Sequence, residues 1–130
     1  MEIKWKNNQM GKMNVHEENQ VVFLTYPMLD QCEGVYHGFT TRLGGVSKGI
    51  FASMNLSFTR GDEEAAVFEN YQRISKAIGF PYESIVMSDQ THTTNVRVIG
   101  EEDRGNGIIQ KRPYTDVDGL VTNVPGLTLA

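Results

Sequence analysis

In Gln90-Thr91-His92-Thr93-Thr94 a histidine stands among hydroxyls and an amide, and a neutral imidazole so placed can ligate a metal or shuttle a proton. One imidazole does not make a metal site, because zinc takes three or four ligands, and His16 and His37 lie in segments with no ligand spacing to His92. An ordinary loop histidine is the plainer reading of these residues taken alone. Arg42-Leu43-Gly44-Gly45-Val46-Ser47-Lys48-Gly49 points to other chemistry. Paired glycines free backbone N–H groups to face an anion, with Arg42 or Lys48 completing the site. The string matches no phosphate-loop pattern, and a glycine-rich connection between strands explains it more simply. Asp116-Val117-Asp118-Gly119 puts two carboxylates on one side of an extended segment, suited to a cation or to an acid and base pair. Calcium needs more oxygen ligands than the neighbourhood offers, so the turn-forming habit of Asp-Gly is preferred here. Cys32, beside Glu33 and Gly34, has no cationic neighbour in sequence and reads as an inert thiol.

Short alternating elements must hold these residues. Ile3 and Trp5 alternate in a strand from Glu2 to Lys6, and Asn7, Asn8 and Gly11 supply turn chemistry after it. Val21 to Tyr26 is β-branched and aromatic, a strand that Pro27 ends or marks as an edge, and Tyr36 to Thr41 reads as another. The helix begins after Asp62, its expected N-cap, with Glu63 and Glu64 in the first turn, and stops at Gly79 and Pro81. Val67, Tyr71, Ile74 and Ile78 form its apolar stripe, while Glu69 and Arg73 sit one turn apart on another face. Ser84 to Met87 and Val96 to Ile99 flank the polar stretch Ser88 to Asn95 as short strands. Val121 and Leu127 to Ala130 are strand-like, and a strand that runs to the last residue is the expected sign of a truncated chain. Strands outnumber helices, so the expected fold class is α/β, a mixed sheet with helices on the outside.

Composition removes several classes of function. With glycine counted and tyrosine left out, the 130 residues are about 45% apolar, ordinary for a globular chain. One cysteine excludes a disulfide scaffold and points to a reducing compartment. A net charge of −4 argues against a nucleic-acid binder. Val21 to Leu24 is the longest aliphatic or aromatic run, far short of the roughly 20 residues of a membrane helix. No secretory signal precedes it, which leaves a cytoplasmic protein as the expectation.

Several strings carry a resemblance. His37-Gly38-Phe39-Thr40-Thr41-Arg42, Gly44-Gly45-Val46-Ser47, Ser53-Met54-Asn55-Leu56-Ser57, Gly61-Asp62, Asn70, Gln90-Thr91-His92 and Asp118-Gly119-Leu120-Val121-Thr122 occur in that order. Together they closely resemble the laccase-domain family, also called YfiH-type or multicopper polyphenol oxidoreductase, over roughly residues 35 to 130. The resemblance implies a four-layer α/β/β/α domain of about twice this length, of which this chain is the N-terminal portion. It also implies a single metal site, usually zinc with copper possible, built from two histidines and a cysteine. His92 matches the first ligand, whereas the cysteine and second histidine of the family lie in motifs beyond Ala130. Cys32 precedes the first string and does not correspond to the metal cysteine. The expected organisation is one incomplete domain, with strands and turns in residues 1–34 and the resembling region in 35–130. Many members carry glycine where this chain has Thr93, a substitution expected to alter the loop if its φ is positive.

Such proteins are credited with purine nucleoside phosphorolysis and adenosine deamination, with polyphenol oxidation and with editing of peptidoglycan precursors. Phosphorolysis needs an anion pocket, and deamination an activated water that an open zinc position supplies. Polyphenol oxidation needs redox copper and ranks lower, since a lone site differs from the several coppers of a true laccase. The resemblance therefore implies a zinc-dependent purine nucleoside phosphorylase and adenosine deaminase acting on nucleoside and phosphate. Its site would use His92 as ligand, Arg42 as a phosphate or ribose contact, and Asn55, Gln90 and Asp118 as shaping polar groups. The 130 residues alone are expected to be inactive, with the rest of the site supplied in cis or by another chain. A non-enzymatic binding half-domain is the competing class, and neither nucleic acid nor membrane is an expected partner.

Overall fold

Val21–Thr25 is buried at nearly every position, which a strand achieves only when it is covered on both faces and paired on both edges. The computed structural model describes residues 13–130, so the expected Glu2 to Lys6 strand and its turn lie outside the described residues. The chain forms two compact units, one ending at Gly79 and the other spanning Phe80–Ala130. In the first, β1 (Asn14–Glu18), β2 (Val21–Thr25) and β3 (Phe39–Thr40) make an antiparallel sheet in the order β1-β2-β3. β1 has no apolar alternation and is half-buried only at its central His16, so the sequence pattern gave no sign of it. Asn19 and Gln20 join it to β2 as a two-residue hairpin with φ of 51° and 71°, the left-handed pair that a strand-matching turn requires.

Pro27 does end β2, and it also opens the short helix α1 (Pro27–Asp30), where its missing N–H costs nothing. The strand expected over Tyr36 to Thr41 contracts to the two residues of β3, because the His37 ring turns back and Nε2 accepts the Tyr26 N–H at 2.8 Å. The helix α2 (Glu64–Ile78) follows the expected stripe: Val67, Tyr71 and Ile74 are buried. Ile74 joins Val21, Phe23 and Met54 in one apolar cluster that packs α2 on β2, with Ile78 against its margin. Glu69 and Arg73 meet at 2.8 Å, and Gly79 closes the helix at φ 105°. Asp62 is not the N-cap. Glu63 holds that place without a side-chain bond, and the Asp62 carboxylate turns instead toward Ser47 and Asn55.

The second unit is built of short parallel pairs. β4 (Ile85–Val86) pairs with β7 (Thr128–Leu129), and β5 (Val96–Val98) with β6 (Gly119–Val121). β4, β5 and β7 fall inside the strands expected from sequence, whereas of β6 only Val121 was expected to be strand-like, and the mixed α/β class is the one observed. Ile85, Val86, Ile99 and Ile108 are buried, whereas Val96, Val98 and Val121 lie exposed. Buried Asp103 accepts the Gly100 N–H and the Asn106 amide, each at 3.0 Å, with Arg97 at 3.6 Å and stacked over Tyr114. No described helix is long and apolar enough to cross a membrane.

Burial holds the Tyr71 phenol up at about 12, with its hydroxyl donating to the Leu56 carbonyl at 2.5 Å. An unfolded tyrosine ionises near ~10, so the native state is fully favoured below that pH and loses its advantage as pH rises toward 12. Alkaline unfolding is expected to show about 2–3 kcal/mol of stability lost across that window. Tyr71→Phe should remove that share of the pH dependence and leave the part due to Tyr114, whose phenol burial also holds above its ordinary value, as denaturant melts at pH 8 to 12 will show.

Candidate functional site

His92 stands at the tip of the Ser88 to Asn95 loop with φ of 66°, a left-handed conformation that costs a non-glycine residue and persists where neighbours over-determine it. The neighbour is Asp118. Its carboxylate accepts the N–H groups of Thr91, His92 and Thr93 at 3.1, 2.9 and 3.0 Å, and the Thr93 hydroxyl at 2.9 Å. Three successive N–H groups thus converge on an internal anion, the arrangement that elsewhere binds free anions. The Thr93 N–H does most to hold the Asp118 carboxyl below its ordinary value, desolvation opposes it, and the Thr91 and His92 N–H groups and the Thr93 hydroxyl add to the lowering. Asp116, itself at φ 55°, accepts the Thr91 hydroxyl at 3.0 Å, and its carbonyl accepts the Asn95 amide at 2.8 Å. The imidazole of His92 is exposed and bonds to nothing among the described residues.

Two expectations change here. Asp118-Gly119 does not close a turn: Gly119 opens β6 opposite Val96, where a Cβ would meet Val96 Cγ2 at 3.1 Å. The left-handed residue of the loop is His92 itself rather than Thr93, whose hydroxyl is used to grip Asp118, a bond glycine lacks. Gln90 is exposed on the same loop, and its side chain forms no hydrogen bond among the described residues.

Arg42 and Asn55 belong to the first unit. The glycine-rich loop there does not hold its N–H groups free for an anion. Gly45 donates to Ser53 Oγ at 3.1 Å, Val46 to Asn70 Oδ1 at 2.8 Å and Ser47 to the Ser53 carbonyl at 3.0 Å. A Cβ on Gly44 would strike the Gln20 carbonyl and one on Gly45 the Ser53 carbonyl, so close backbone packing is what these glycines permit. Arg42 is exposed and donates Nε and Nη2 to the Ala52 carbonyl at 3.0 and 2.6 Å, leaving Nη1 without a partner among the described residues. Asn55 donates to Asp62 Oδ2 at 3.0 Å and to the Ser57 carbonyl at 3.2 Å. Asn70, fully buried in mid-helix, also donates to Ser47 Oγ at 2.9 Å and to the Asn55 carbonyl at 2.8 Å. The Asp62 carboxyl is held low by Asn55 first and then by Ser47.

Among the described residues no three of His, Cys, Asp and Glu lie close enough to hold a metal ion. His92 is one exposed donor, and Asp116 and Asp118 are committed to the loop around it. Cys32 is exposed in the first unit, its thiol 3.6 Å from the Met28 carbonyl. These residues do not by themselves fit a tetrahedral zinc. Reading the sequence missed Asp89 and Arg112, which brace the loop from behind. Their signal lay only in a polar pair far apart in the chain.

Residues 36–130 match the family model described as multi-copper polyphenol oxidoreductase laccase. The purine nucleoside phosphorylase YlmD of Geobacillus stearothermophilus is 38% identical over 98 residues, 75% of this chain and 36% of that protein. A purine nucleoside phosphorylase of Mycobacterium bovis is 40% identical over 91 residues, 70% of this chain and 34% of the relative. The crystal structure of YlmD from Geobacillus stearothermophilus gives a TM-score of 0.71 at 32% identity, over 88% of this chain and 42% of the other. The chain thus spans about a third of the length of these curated relatives.

Two substitutions test the architecture of the first unit. Gly45→Ala must displace the Ser53 backbone, an overpacking expected to cost about 1–3 kcal/mol. Asn70→Ala strips three hydrogen bonds from a closed site, and the unsatisfied Val46 N–H together with the cavity is expected to cost about 3–5 kcal/mol. Urea unfolding of both variants measures the losses.

Proposed function

Because the chain belongs to the multi-copper polyphenol oxidoreductase laccase family, we propose that it is the N-terminal half of a cytoplasmic, zinc-dependent purine nucleoside phosphorylase that also deaminates adenosine. The observation that carries this reading is that the curated relatives matched across most of the chain are named purine nucleoside phosphorylases. In phosphorolysis, phosphate replaces the purine at the ribose carbon, so the site must hold an anion and a polar nucleoside together. Arg42 meets the first need with an exposed guanidinium whose Nη1 has no partner among the described residues, as the phosphate or ribose contact. Asn55, Gln90 and Asp118 shape the polar surroundings. In this reading His92 is the metal ligand this chain contributes, and the remaining ligands come from outside it, in cis or from another chain.

The family description itself favours a second reading, oxidation of polyphenols with copper. Assays on the purified longer parent separate the two. Free base released from inosine and phosphate, and inosine from adenosine, are the expected products. Neither product, with oxygen consumed on a phenolic substrate, would move the assignment to the oxidase. The 130-residue chain alone is expected to hold zinc weakly and to turn over neither nucleoside, which equilibrium dialysis and the same assays will show. Tight stoichiometric zinc with turnover in this chain would overturn that expectation.

A further inference from the structure

Arg112 lies outside every string that carries the family resemblance, yet both of its bonded nitrogens serve the base of the His92 loop. Nη1 donates to the Ser88 carbonyl at 2.7 Å, and Nη2 pairs with Asp89 Oδ1. The other Asp89 oxygen accepts the Asp116 N–H at 3.0 Å, and the Asp89 and Val117 backbones exchange bonds of 2.8 and 3.1 Å. One residue further on, Asp118 accepts the three loop N–H groups that fix His92.

We infer that Arg112 is a positioning residue for His92, acting through Asp89 to set the Asp116 to Asp118 segment against the loop. The inference rests on reading His92 as a site residue. A planar guanidinium suits the task because its fork can serve a carbonyl and a carboxylate at once, which a single ammonium does less well. The fork is also enclosed on one side: Nε is buried and has no hydrogen-bond partner among the described residues, so the group is oriented by its two Nη contacts. Neither contact falls on the β5–β6 ladder, where Ile99 donates to the Val121 carbonyl at 2.8 Å. Loss of Arg112 should therefore loosen the loop while sparing the ladder beside it.

The experiment is amide exchange and chemical-shift analysis of the full 130-residue chain carrying Arg112→Ala, Arg112→Lys or Asp118→Ala. In the two alanine variants the amides of Thr91, His92 and Thr93 are expected to lose protection. The Cα shift and three-bond HN–Hα coupling of His92 should leave their left-handed values together. Ile99 should keep its protection, and Arg112→Lys should fall between wild type and Arg112→Ala. Unchanged loop amides in Arg112→Ala, with Asp118→Ala released, would overturn the relay. Simultaneous loss at Ile99 would reduce Arg112 to general structural support and overturn it equally. No nucleoside enters these measurements, so a parent that fails to cleave inosine would count against the proposed function and leave this result standing.

Discussion

The carboxamide of Asn70 has no access to water and meets its hydrogen-bonding needs from three residues in two separate segments. Buried polar groups are costly when unpaired, so the site is satisfied only when Val46, Ser47 and Asn55 all arrive. Ser47 and Asn55 in turn converge on Asp62, one residue before the cap of α2. The long irregular run between β3 and α2 acquires a defined path from this one closed polar centre, since it has few regular backbone ladders of its own. The apolar cluster of Val21, Phe23, Met54 and Ile74 supplies the bulk of the contact, and Asn70 supplies its register.

The second unit uses the same device with an ionised group at the surface. Asp118 is an acceptor placed under three consecutive donors, and it stabilises a backbone shape that His92 would not keep alone. The imidazole of His92 stays exposed while the backbone N–H groups on either side of it and its own are bonded to Asp118. Asp103 repeats the pattern in the interior, gathering Gly100, Asn106 and Arg97.

Helix α2 was legible because its apolar spacing, its glycine stop and its Glu69–Arg73 pair are local signals. β2 was legible from β-branched content. β1 was not, because an edge strand with one apolar residue, Val15, has little to alternate, and its hairpin turn lacks glycine. Asp62 misled as a cap because a carboxylate near a helix start serves a distant serine and asparagine as readily as the helix. Of the candidate site, Asp118 and His92 could be singled out by their strings, but not their mutual bond, which spans 26 residues. The glycines at 44 and 45 looked like an anion cradle because sequence shows missing side chains without showing the carbonyls that fill their place.

Cys32 is the single cysteine of the chain, and it lies exposed in the unit that does not contain the His92 loop. It takes no part in the polar centre around Asn70 or in the apolar cluster. A maleimide dye or nitroxide can therefore be attached to the 130-residue chain at one known place, without engineering a thiol in or removing competitors from it. That native handle turns the relation between the two units into a quantity that a spectroscopist can follow in solution.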